Sequence, residues 1–291
     1  MTRAMPWAMA TLGLVVALGA WPVARSDRQA TFRSGTEAVR VDVLVTERGR
    51  PVRGLTPSDF EVLDSGVPQQ VDYAAFEEIP LNVVFVLDMS VSVSGERLAH
   101  LQEAGAAVLE GLKAGDQAAL VTFDHAVVLR APLTADRARV REALFGQASA
   151  GMTSLIDAIY AGLIVAESDV GRGLVLVFSD GLDVSSWLRP DLVREVARRS
   201  NAVVYGVVVR SLAGPEFLRE IGRLSGGDLF EVESTRSLHQ TFVRVLDEFR
   251  HRYLVSYQPR GVPRGGWHPL EVRVKNPGAS VKARPGYLAG R

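Results

Sequence analysis

Residues 82–92 read NVVFVLDMSVS, a nearly continuous apolar run that stops at Asp88 and is followed by Ser90 and Ser92. A short run that is apolar at successive positions is expected to be a strand buried on both faces, as in a parallel sheet covered by helices. Beyond Asp88 the side chains of Ser90 and Ser92 alternate with Met89 and Val91, so an extended loop would turn both hydroxyls to one side. The stretch therefore predicts a central strand ending in a cluster of oxygen atoms.

Two later stretches have the same character. GMTSL at 151–155 places Thr153 just ahead of a helical pattern, and FSDG at 178–181 ends another apolar run at Asp180. Asp88, Ser90, Ser92, Thr153 and Asp180 offer only hydroxyl and carboxylate oxygens. That is ligand chemistry for a hard divalent ion, Mg²⁺ first with Mn²⁺ or Ca²⁺ as relatives, and not for Zn²⁺ or copper. With three neutral hydroxyls and two acids the ion would stay electrophilic and take a further anionic oxygen. Each stretch alone also reads as a helix cap or an Asp-Gly turn. Asp116, Asp124, Asp157 and Asp183 fit such turn and first-turn roles and are not assigned as ligands.

Around these stops, strand-like runs at 82–88, 117–123, 174–179 and 202–209 alternate with helical spacing at 97–112, 135–145, 154–167, 190–199 and 215–224. Pro190 and Pro215 suit first-turn positions. The pattern predicts an α/β fold with a doubly wound, mostly parallel sheet. Residues 126–129 follow a strand after only Asp124 and His125 and are expected to pair back as an antiparallel edge. In such a sheet ligands gather beyond the carboxyl ends of the strands, where Asp88 and Asp180 fall.

The flanks read differently. Alternating or β-rich segments at 39–46, 59–63 and 70–76 precede the α/β region, and 253–257, 270–275 and 281–284 follow it. Neither set has enough strands for a stable sandwich alone. The expectation is a small β-sandwich made by both flanks, 27–78 and 251–291, with residues 79–250 inserted between them. Residues 1–26 read as a secretory signal, with Arg3 before the apolar stretch 7–20 and small residues near Ser26. That predicts a secreted or periplasmic protein with no membrane span after signal removal.

Composition narrows the classes further. The 291 residues carry 33 basic and 33 acidic side chains and no cysteine, which excludes disulfides and thiolate metal sites. All the basic residues except Lys113, Lys275 and Lys282 are arginine, but they are scattered, and a near-neutral surface argues against nucleic acid.

The D-x-S-x-S stretch at 88–92, with Thr153 and with Asp180 at the end of a later strand, resembles the von Willebrand factor type A family and its metal-ion-dependent adhesion site. The resemblance implies a metal held by Asp88, Ser90, Ser92, Thr153 and Asp180, and a partner protein offering an Asp or Glu carboxylate to it. The flank phrases at 31–66, HRYLVSYQP at 251–259 and LEVRVK at 270–275 also resemble a group of exported bacterial proteins carrying that domain, first described in acidobacteria.

Catalytic signatures are missing. There is no GxSxG elbow, Walker A loop or HExxH, and His100, His125, His239, His251 and His268 show no ligand spacing. A phosphatase with an aspartate nucleophile would need a second Asp where this chain has Ser90. The expected function is a non-enzymatic, metal-dependent binding module. A scaffold stiffened by a metal and a metal-assisted hydrolase are the alternatives.

Overall fold

In the computed structural model, which describes residues 38–76, 78–179, 183–210 and 215–290, the run that stops at Asp88 is the middle of the largest sheet. In chain order the first strands are β1 (Val39–Glu47), β2 (Arg50–Pro51), β3 (Phe60–Asp64), β4 (Val67–Gln69) and β5 (Val71–Phe76). The α/β region follows as β6 (Leu81–Asp88), α1 (Glu96–Glu110), β7 (Gln117–Phe123), β8 (Val127–Thr134), α2 (Arg137–Phe145) and α3 (Leu155–Ala166). It continues with β9 (Arg172–Ser179), α4 (Pro190–Arg199), β10 (Val203–Val209), α5 (Glu216–Ser225), β11 (Asp228–Val232) and α6 (Leu238–Arg250). The last strands are β12 (Arg252–Tyr257), β13 (Gly266–Val274), β14 (Ala279–Lys282) and β15 (Gly286–Ala289).

The six-stranded sheet has the order β11-β10-β9-β6-β7-β8. Its neighbours are parallel except β7 and β8, which form the expected antiparallel edge. β6 and β9 are buried at every position because helices cover both faces. On one face Leu101, Val108, Phe242, Val245 and Phe249 of α1 and α6 pack on Val83, Phe85 and Leu87. On the other, Ile159, Leu163, Val193 and Leu218 of α3, α4 and α5 meet Val84, Val86, Val175 and Val177. The chain leaves β6 toward β7 and later returns to β9 on the other side. The carboxyl ends of β6 and β9 therefore flank the point where the winding reverses, where an open α/β sheet forms its crevice.

The strands outside this region form two antiparallel sheets, β14-β1-β12-β5 with β2 alongside β1, and β15-β13-β3-β4. Both mix strands from before and after the α/β region: Val41 of β1 faces Val255 of β12, and Val62 of β3 faces Val272 of β13. Val43, Val45, Tyr253 and Val255 of the first sheet share one apolar cluster with Phe60, Val62 and Leu270 of the second.

Buried arginines join these sheets to the α/β region. Arg172, at the start of β9, donates from Nε to Asp42 of β1 at 2.7 Å, with Nη2 on the same carboxylate oxygen. Arg252 of β12 reaches the Tyr205 hydroxyl at 2.6 Å and the Gly226 carbonyl at 2.8 Å. Arg284 donates to the Ser200 carbonyl at 2.9 Å and to the Arg198 carbonyl at 2.6 Å. Burying a guanidinium is costly unless its donors are satisfied. These arginines direct most of theirs to carbonyls, a carboxylate and the Tyr205 hydroxyl, with Arg252 Nε left buried and unpartnered among the described residues. Gly226 is required there, since its φ is +84° and a Cβ would fall 2.6 Å from the Arg284 backbone nitrogen.

Candidate metal centre

Asp88 is fully buried at the end of β6, and both of its carboxylate oxygens are engaged by the protein. Oδ1 accepts the Ser90 N–H at 2.8 Å, a turn that folds the chain directly behind the strand. Oδ2 accepts the hydroxyl of Ser179, the last residue of β9, at 2.7 Å. The carboxylate is thus fixed between the ends of the two strands that bracket the crevice. Charge-assisted bonds of this length are among the stronger ones in a protein.

Beyond Asp88 the chain makes a short 3₁₀ turn at Val91–Val93, closed by the Val93 N–H to the Ser90 carbonyl at 2.9 Å. The Ser90 and Ser92 hydroxyl oxygens lie 3.0 Å apart, brought together by this turn and not by the extended loop expected from their alternation. The second loop is tied to the first by Ala150 N–H to the Met89 carbonyl at 2.8 Å and Val91 N–H to the Gly151 carbonyl at 3.4 Å. Gly151 permits this path: its φ is +73°, and a Cβ would meet His125 Nδ1 at 2.5 Å.

Thr153 follows, buried, and its carbonyl accepts the N–H groups of Val184 at 2.9 Å and Ser185 at 3.2 Å. Asp88, Ser90, Ser92 and Thr153 are therefore brought to one end of the sheet by backbone hydrogen bonds between their loops. Asp180 lies outside the described residues.

The acids read as structural behave so. Asp157 in the first turn of α3 accepts the Trp187 N–H at 2.9 Å and the Leu188 N–H at 2.8 Å. Asp183 accepts the Ile156 N–H at 3.1 Å and the Ser186 hydroxyl. Asp124 closes the β7–β8 turn through the Ala126 N–H at 2.8 Å. Asp116 accepts the Leu81 and Lys113 N–H groups and pairs with Arg250 at 2.8 Å. Ser179 is the functional neighbour that sequence reasoning missed. Its signal was position, a hydroxyl ending a strand beside the one that ends in Asp88.

Among the described residues no three His, Cys, Asp or Glu side chains gather as a metal group. The described donors are one carboxylate and hydroxyls, which suits a hard, oxygen-seeking cation and offers nothing to a soft one. The residues present fit a divalent ion bound through oxygen.

The family model for the von Willebrand factor type A domain matches residues 82–244. Among solved structures, a von Willebrand factor type A protein from Catenulispora acidiphila aligns over 89% of this chain and 65% of its own, with 15% identity and a TM-score of 0.55. Proximal thread matrix protein 1 from the mussel byssus, solved with a zinc-occupied MIDAS motif, aligns over 64% of this chain and 49% of its own, with 16% identity and a TM-score of 0.55. The chain thus spans about half of that mussel protein, and at these identities the likeness is one of fold. No curated protein matches the sequence.

Proposed function

This chain belongs to the von Willebrand factor type A domain family, and from that premise we propose that it is an exported protein-binding module working through a divalent cation. Asp88, Ser90, Ser92, Thr153 and Asp180 would hold the ion, Mg²⁺ first, and a partner protein would supply an Asp or Glu carboxylate. Support comes chiefly from one observation: the hydroxyls of Ser90 and Ser92 meet beside a buried Asp88 carboxylate that Ser90 N–H and Ser179 already orient.

When bound, the ion supplies an electrophilic centre that attracts a carboxylate oxygen. The chain's own residues do the rest. Ser179 and the Ser90 N–H fix the Asp88 carboxylate, and a ligand so oriented does not have to be ordered at the moment of binding. Ser90, Ser92 and Thr153 contribute oxygen without charge, so less of the ion's charge is neutralised by the protein. The N-terminus of α3, which starts at Leu155, adds a modest positive potential at the same end of the sheet.

No bond-making step is assigned, and we place the protein outside the cytoplasm on the reading of residues 1–26 as a signal. Among the described residues no helix is long and apolar enough to cross a membrane.

Calorimetric titration of the purified protein with Mg²⁺ and Mn²⁺, beside Thr153→Ala and Ser90→Ala, tests the proposal. Saturable uptake that both variants lose supports it, and no uptake by the wild type refutes it. Hydrolysis of simple esters that disappears in Asp88→Ala would instead favour a metal-assisted hydrolase.

A further inference from the structure

The loops that carry the oxygen donors also hold large apolar side chains out in solvent. Val91, between Ser90 and Ser92, is 63% exposed, and Met152, beside Thr153, is 57% exposed. Val184, whose N–H binds the Thr153 carbonyl, is 63% exposed, and Trp187 is 91% exposed. Scattered apolar residues are ordinary on a surface, but these belong to three loops bonded to one another around one polar cluster.

Trp187 is held there by design of its loop. Its own N–H and that of Leu188 donate to Asp157, and the Ser186 hydroxyl accepts the Asp157 N–H at 3.1 Å. Leu188 packs against the apolar layer beneath. The backbone on both sides of the indole is thus anchored to the first turn of α3, while the ring has no aromatic or hydrogen-bonding partner among the described residues. A solvated tryptophan on an anchored backbone has only its side-chain rotamers left to order on binding and gains much from burial, and tryptophan is enriched among interface anchors.

Among the described residues several charged side chains of this face are already engaged. Arg97 donates to the Ser92 carbonyl at 3.2 Å, Arg189 pairs with Asp191 at 2.6 Å, and Asp157 and Asp183 are taken up by N–H groups and a hydroxyl. What the rim adds to a carboxylate contact is apolar area.

We propose that the rim reads the residues beside the captured carboxylate: the partner is a protein segment in which Asp or Glu is flanked by large apolar or aromatic side chains, and Trp187 is their main contact. This rests on the metal reading of the Asp88–Ser90–Ser92–Thr153 cluster and names its partner class. Among the described residues Trp187 makes no hydrogen bond to a proposed metal donor, so its removal separates the two ideas.

The test uses short synthetic peptides carrying Asp flanked by Phe or Leu, the same peptides with Gly flanks, and Asn-for-Asp controls. Binding to the full chain is measured in Mg²⁺ and in chelator, with Mg²⁺ titrated separately. The wild type is expected to prefer the apolar-flanked Asp peptides by at least about tenfold, in Mg²⁺ only. Trp187→Ala should lose that preference, keep the weaker binding of the Gly-flanked peptides, and take up Mg²⁺ as the wild type does.

Equal binding of both peptide sets by a wild type that takes up Mg²⁺ overturns this proposal alone, as does a preference that survives Trp187→Ala. Absence of Mg²⁺ uptake overturns the metal reading and the proposal with it. Mg²⁺-dependent self-association through Trp187, without peptide binding, would identify a second copy as the occupant and overturn the assigned partner.

Discussion

Replacing Asp42 by alanine should destabilise the whole protein by about 3 kcal/mol. Asp42 lies in β1 and Arg172 at the start of β9, both buried, and the guanidinium gives Nε and Nη2 to one carboxylate oxygen. Without Asp42 the guanidinium keeps the Phe249 carbonyl at 3.2 Å and the Phe249 ring 4.9 Å from its central carbon. Breaking a buried pair by removing one partner costs about 3–5 kcal/mol, because the other charge stays buried and uncompensated. Both residues border an open cavity of about 640 Å³, through which water can reach the stranded cation. That places the loss near the lower end of the range. For a domain of this size it corresponds to a Tm fall of roughly 6–12 °C.

Urea unfolding followed by circular dichroism and by tryptophan fluorescence measures it. The midpoint should fall while the slope holds and the two probes still coincide, since the pair joins the flank sheets to the α/β region. Exchanging both residues, Asp42→Leu with Arg172→Met, removes both desolvation penalties and should cost less than the single change. A loss below about 1 kcal/mol in Asp42→Ala, or a double variant worse than the single, would refute the reasoning.

Other changes have equally definite outcomes. Ser179→Ala removes the hydroxyl donor to Asp88 Oδ2 and should weaken Mg²⁺ affinity by about 10–100-fold in calorimetry, the usual cost of losing a ligand's orienting partner. Gly226→Ala combines a positive φ with a 2.6 Å approach to the Arg284 nitrogen and should cost about 3 kcal/mol in chemical denaturation. Tyr257 and Tyr287 donate to the buried Asp64 carboxylate at 2.9 and 2.8 Å, and burial, then the hydrogen bond to Asp64, pushes both phenols above their ordinary value. Their folded pKa values are raised, so their contribution is full below pH about 10, where the unfolded phenols begin to ionise, and is lost as pH rises further. Tyr257→Phe should lower stability by about 1–3 kcal/mol at neutral pH and flatten the alkaline decline measured by pH-dependent denaturation.

The α/β core was legible because its strands are buried on both faces. The run expected at 82–88 is the strand Leu81–Asp88, and 117–123 is the strand Gln117–Phe123. The end of the sheet was less legible. β11, DLFEV, is a short edge strand with acids at Asp228 and Glu231 and half-solvated positions, so no apolar run announces it. α6 also went unassigned, although Leu238, Phe242, Val245, Leu246 and Phe249 carry helical spacing and are buried. The polar His239, Gln240 and Thr241 interrupt the first turn.

The arginines show a different limit. Their scatter along the chain pointed to no shared role, yet Arg172, Arg252 and Arg284 converge on the junction between the flank sheets and the α/β region. Convergence of that kind depends on tertiary register, which no local pattern records. The donors were legible for the opposite reason. Ser90 and Ser92 follow Asp88 within a few residues, so one local turn suffices to bring their hydroxyls together, although it is a 3₁₀ turn and not the extended loop expected. Their partner Ser179 comes from another strand and was visible only after β6 and β9 were paired.

The most direct measurement is anomalous diffraction from crystals of the full chain grown or soaked with Mn²⁺, recorded beside Thr153→Ala crystals treated identically. The account predicts a single strong anomalous peak bounded by the Ser90, Ser92 and Thr153 hydroxyls next to Asp88, weakened or lost in the variant. A wild-type map with no peak at that end of the sheet, at Mn²⁺ concentrations that saturate exposed carboxylates elsewhere, would contradict it.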